Sequence, residues 1–215
     1  MSCRLLRQGA WAAAAAAALS ALCLPEAEAE TFTAGGLTFS DELGGFALLD
    51  VSGSGTLDDP FVVVEEVTDG GAAILVIRGL DLGFGNLIGS HHLSGFALTK
   101  VVINRTENAW SRYEVELREV QESRSPYGDG LSYGQGGEIG RPFLATGFAA
   151  NQEIDEPYDS VVFNDGTIMP GESATFSVVV TDTTPTSPIF MVQQPMQEVA
   201  AIPQGDQLAS LPAGR

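Results

Sequence analysis

Cysteine is almost absent from this chain: Cys3 and Cys23 are the two in 215 residues. Both precede the point at which a leader is expected to be cut, so the remainder has no means of forming a disulfide or a thiolate metal site. Histidine is equally scarce, at His91 and His92. Two histidines without cysteine do not complete a structural zinc site. Neighbours in a strand also face opposite ways, which makes a shared catalytic site awkward. No Gly-x-Ser-x-Gly elbow accompanies Ser90-His91-His92, so these histidines read as loop or surface residues. Positive charge is the third shortage. Ten Lys and Arg stand against 28 Asp and Glu, a net charge of −18, and such a field repels nucleic acid and anionic lipid head groups while favouring cations and basic partners. Tryptophan is limited to Trp11 and Trp110. The glycines around Leu82 to Gly89 lack the Lys and the strand-to-helix context of a phosphate cradle.

What is present begins with a leader. Arg4 and Arg7 give a positive start, Ala10 to Leu24 is almost wholly apolar, Pro25 breaks the run, and Ala27-Glu28-Ala29 supplies a small-x-small cleavage pattern. The apolar run is too short and too rich in alanine for a stable membrane span. Residues 1–29 are therefore expected to be a signal peptide and Glu30 the mature start, with no membrane span after cleavage. Cys23 raises the alternative of an acylated anchor, but Leu22 stands where a small residue is wanted. The chain is expected to be exported, to the periplasm or beyond the cell.

Downstream, apolar residues come in short runs rich in β-branched and aromatic side chains, each closed by Gly, Asp, Asn or Pro. The runs read as strands are 31–39, 45–51, 61–67, 73–80, 96–104, 111–121, 159–164, 172–182 and 189–194. About nine short strands without intervening helical patterns predict an all-β fold, an antiparallel β-sandwich, over residues 30–195. In Tyr113 to Val120 one face is Tyr113, Val115 and Leu117 and the other is charged, so that strand has a wet side. Ala73 to Ile77 is apolar on both faces and belongs inside a sheet. Leu82 to Ile88 and Pro142 to Ala150 are the only stretches with any helical character. From residue 196 to 215 the chain reads as a disordered tail.

Two stretches carry a family pattern. Val102 to Leu117, with its strand, Asn104-Arg105-Thr106 turn, Trp110, Tyr113 and alternating strand, resembles a hairpin of immunoglobulin-like sandwich modules in exported bacterial proteins. Met169-Pro170-Gly171-Glu172, leading into Ser173 to Val178, resembles the late turn of the same modules. The resemblance covers under a fifth of the mature chain and implies an immunoglobulin-like sandwich serving as a structural or adhesive unit. Physically, Trp110 would cap a sheet end and Gly171 would take a positive φ in a tight turn. Asn104-Arg105-Thr106 also has the form of a glycosylation sequon and is read here as a turn.

Candidate sites lie in loops. Ser123 to Pro142 is long for a compact domain and holds Tyr127, Asp129, Tyr133 and Gln135, the expected ligand-binding residues. Asp155, Glu156, Asp159 and Asp165 are the candidate metal ligands, with calcium the one cofactor their oxygens suit. A carbohydrate-active or other hydrolase would draw on Asp129, Asp155 or Glu156, with Tyr127, Tyr133 and Tyr158 as a sugar-stacking platform. The reading that best fits the whole is a non-catalytic structural or binding module of the cell envelope, its partner an envelope or extracellular protein or a glycan. The hydrolase and a calcium-dependent adhesion module are the alternatives.

Overall fold

The computed structural model describes residues 28–126, 128–134, 144–153 and 158–197. Among them are thirteen strands and no helix. In chain order these are β1 (Thr31–Ala34), β2 (Leu37–Ser40), β3 (Phe46–Ser52), β4 (Phe61–Val67), β5 (Ala73–Arg78), β6 (Ser94–Asn104), β7 (Arg112–Arg118), β8 (Leu131–Tyr133), β9 (Leu144–Thr146), β10 (Phe148–Glu153), β11 (Ser160–Gly166), β12 (Ser173–Asp182) and β13 (Ile189–Met196). They form two sheets. One runs β1-β2-β5-β13-β7-β11-β10; the other runs β3-β4-β6-β12-β8, with β9 also on β12. Every pairing is antiparallel except that of β4 with β6.

Period-two patterning makes these two sheets a sandwich. In β4, Phe61, Val63, Glu65 and Val67 are buried while Val62, Val64 and Glu66 are half-buried, so one face of each strand is committed to the core. Ala73, Leu75, Val76 and Ile77 of β5 are wholly buried, as expected for a strand apolar on both faces, and β2 and β13 flank it. Tyr113, Val115 and Leu117 point inward from β7. Aromatic rings fill both halves of the interior. Phe39, Phe61, Phe96 and Phe84 form edge-to-face contacts at 5.4, 5.7 and 6.2 Å, while Trp110, Tyr113, Phe148 and Phe163 gather around Phe176 and one another at 4.7–5.9 Å.

The two turns singled out in the sequence lock together. Asn104 is fully buried; its amide donates to the carbonyls of Asn108 and Ile168, and its side-chain oxygen accepts from Thr106. Gly171 N–H donates to the Asn104 carbonyl at 2.7 Å, with Gly171 at the expected positive φ of 87°. Trp110 is fully buried and its indole N–H donates to Thr106. The Asn104 side chain is thus consumed by turn hydrogen bonds.

Several expectations need correction. Residues 31–39 form a hairpin, β1 and β2, because Gly35 and Gly36 both take positive φ between them. Leu82 to Ile88 is a series of turns, and residues 144–150 contribute β9 and the start of β10, so neither stretch is helical where described. The long loop after β7 contains β8, three residues framed by Gly130 and Gly134 and too short to show a period. β13 continues to Met196, and Pro195 is tolerated because β5 pairs no further than Gln193, leaving β7 alone beside it.

Candidate functional site

The end of the sandwich beyond β7 and β12 gathers the charged residues that the core leaves over. Leaving β7, the chain turns through a bridge between Val120 and Ser123, with Glu119 N–H held by Ser125 Oγ at 2.8 Å. It reaches β8 through Asp129, whose N–H donates to the Pro126 carbonyl and whose Oδ1 accepts from Leu131 N–H. Pairing of β8 with β12 sets Leu131 opposite Asp182. Thr184 then donates its N–H to Asp182 Oδ1 at 2.8 Å and its hydroxyl to the Asp129 carbonyl at 2.6 Å. The result is a depression of about 100 Å³ lined by Glu119, Val120, Ser123, Arg124, Ser125, Pro126 and Asp129.

Acids dominate this end, and their ionisation shows it. Burial, then the charges of Asp129 and Asp182, push the Glu119 carboxyl up to about 7. Burial also raises Asp182, against the lowering effect of hydrogen bonds from the Thr184 and Thr186 backbones and of His92. His92 is itself lowered, chiefly by burial. Glu119 Oε1, Asp129 Oδ2 and Asp182 Oδ2 are buried atoms without a hydrogen-bond partner among the described residues, and Asp182 is wholly buried. The nearby arginines are engaged elsewhere. Glu116 accepts from both Arg118 and Arg124 at 3.0 Å, and the Arg124 guanidinium stacks 4.3 Å above the Tyr158 ring.

The expected site residues are distributed unevenly. Asp129 lies on the depression. Tyr133, expected to face a ligand, is instead in the core at 3% exposure, because β8 turns it inward from β12. Tyr127 and Gln135 lie outside the described residues, as do Asp155 and Glu156. Asp159 is buried and its Oδ1 receives Tyr133 N–H, whereas Asp165 is exposed at the far end of β11 with φ of 56°. A strand of that length separates the two by roughly 20 Å, so they do not share one ion. Among the described residues no three His, Cys, Asp or Glu side chains are placed to hold a metal. Of the three tyrosines considered for stacking sugars, Tyr133 is buried, Tyr158 has a face covered by Arg124, and Tyr127 lies outside the described residues. His91 and His92 occupy a loop, His91 exposed and His92 half-buried.

Glu119 and Asp182 were not legible as site residues. Each stands at the end of a strand whose alternation predicts the strand alone, and nothing in their local sequence signals that β8 brings them to one end. No family model matches the chain, and no curated protein or solved structure is significantly similar to it.

Proposed function

We propose that this protein is a secreted or periplasmic structural or binding module of the cell envelope, an immunoglobulin-like sandwich that follows a cleaved leader, with its contact surface at the end of the sandwich around residues 119–134. The observation that supports this is the shallow depression that Glu119 and Asp129 line, backed by the buried Asp182, with Arg124 on its wall already paired to Glu114 and Glu116. Such a cluster in a chain of net charge −18 suits a cationic group, such as a lysine or arginine side chain on a partner protein. The test is a titration followed by NMR with a trilysine peptide, a triglutamine peptide and calcium chloride as separate probes. Trilysine should perturb residues 119–134 and 182–186, lose its effect in a Glu119→Gln/Asp129→Asn double variant, and weaken with salt. Equal response to triglutamine, or an unchanged response in the double variant, overturns the reading; saturation by calcium alone favours the calcium-dependent module.

A second reading has its own support. A carboxyl raised to about 7 beside other carboxylates suits a general acid, the role that hydrolysis of a glycosidic bond requires of one of two carboxyl groups. In that reading Glu119 is the general acid and Asp129 its partner. Incubating the purified chain with a panel of glycans distinguishes the two, since a binder retains glycan without releasing product.

A further inference from the structure

Lys100 is the only lysine in the 215 residues; every other basic residue is arginine. Among the described residues it is also the one basic side chain placed at the centre of the core, 1% exposed, on the inward face of β6. Its Nζ donates to Glu65 Oε2 at 2.9 Å, from the adjacent β4 of the same sheet. The same oxygen accepts from the Gln193 amide nitrogen at 3.1 Å, across the core on β13 of the other sheet. Both nitrogens sit on one oxygen, so they stand within about 6 Å of each other, the limit set by those two contacts. The Gln193 carbonyl oxygen in turn accepts from the Tyr113 hydroxyl at 2.7 Å. Glu65, Tyr113 and Gln193 are all fully buried, and Glu65 Oε1 has no partner among the described residues.

An amine, a carboxylate able to carry protons, and a carboxamide whose oxygen is held by a hydroxyl donor are the parts needed to exchange one amide for another. We propose that Lys100 and Gln193 join through a side-chain amide bond formed within the folded protein, with Glu65 and Tyr113 assisting. Burial lowers the Lys100 pKa, which favours the neutral amine that attack requires. Glu65 takes the ammonium proton. The Nζ lone pair then adds to Cδ of Gln193, and the carbonyl electron pair moves onto Oε1, where the Tyr113 O–H stabilises it. Glu65 delivers its proton to the departing nitrogen and receives the second proton from Nζ. The Cδ–Nε2 bond breaks, ammonia leaves, and a secondary amide remains. Primary amine and primary amide give secondary amide and ammonia, with nothing oxidised or reduced. Arginine at position 100 has no neutral amine to offer, which gives a chemical reason for lysine at this one position. The bond joins the two sheets through strands that lie inside each, supplying a covalent tie to a domain that lacks cysteine.

The intact mass of the full-length chain, purified folded and measured after denaturation, decides the matter. Relative to a Lys100→Arg variant, the wild type should be lighter by about 17 Da, one ammonia, beyond the composition difference. A tryptic digest should yield one branched species containing Lys100 and Gln193. An amine-selective reagent applied to the denatured wild type should then label the α-amino group alone. A folded wild type of unshifted mass with Lys100 open to the reagent overturns the proposal, whether or not any variant folds. A loss of about 18 Da mapped to Lys100 and Glu65 also overturns it, because that is condensation with the carboxylate and releases water. A Glu65→Gln variant that folds should keep the unshifted mass, which assigns Glu65 to the proton transfers.

Discussion

The centre of the sandwich and its β7/β12 end both concentrate polar groups, and they solve the problem of charge in opposite ways. At the centre Lys100, Glu65, Gln193 and Tyr113 bond to one another across both sheets and fully out of water, an amine set against a carboxylate, with Glu65 Oε1 left without a partner among the described residues. At the end Glu119, Asp129 and Asp182 crowd like charges together and leave an oxygen of each unpartnered. A buried charge that is matched fixes which strands face each other. A cluster of acids that is unmatched raises a pKa and leaves room for something from outside.

The largest effect expected to break this contrast comes from the centre. Glu65→Ala strands an amine in the core and should cost about 3–5 kcal/mol in urea unfolding; a loss below about 1 kcal/mol would mean that water reaches Lys100. Tyr113→Phe keeps the ring stacked on Phe176 at 4.7 Å and removes only the donor to Gln193, so it should cost about 1–3 kcal/mol. The end of the sandwich should respond to pH instead. Glu119 has its folded pKa raised from 4.5 to about 7, so the stability it contributes is full below its unfolded pKa and is lost as pH rises through about 7. The wild-type melting temperature should therefore fall between about pH 5 and pH 8 by more than that of Glu119→Gln; equal slopes would remove Glu119 from the cluster. The smallest effect is expected at Val120, on the rim of the same depression and 57% exposed, where Val120→Ser should change stability by about 0.5 kcal/mol or less.

How much of this could be read in advance depended on the range of the interaction concerned. Strands with clean alternation or long β-branched runs were legible: Phe61 to Val67 matches β4 residue for residue, and β6, β7, β12 and β13 lie within a few positions of their expected bounds. β8 and β9 were not, since three residues hold no period and exist as strands only because β12 offers them a free edge. Tyr133 was misplaced for the same reason; in a glycine-rich loop it looks available, and pairing with β12 turns it inward. The central network left a trace that could have been followed. Glu65 falls in phase with Phe61, Val63 and Val67, and Lys100 in phase with Leu98 and Val102, so both occupy positions that should be apolar. What no local pattern held was that Gln193, nearly a hundred residues further along than Lys100, would meet them across the core.

The position of β13 bears on how the molecule can be made. The last strand in chain order among the described residues is inserted between β5 and β7, near the middle of the seven-stranded sheet. Until Ile189 to Met196 has emerged, β5 and β7 each present an unsatisfied edge and Leu75, Leu117 and Ile77 lack their cover. A nascent chain therefore has no early compact form to settle into, and a truncation before residue 189 should yield aggregates in place of a smaller domain.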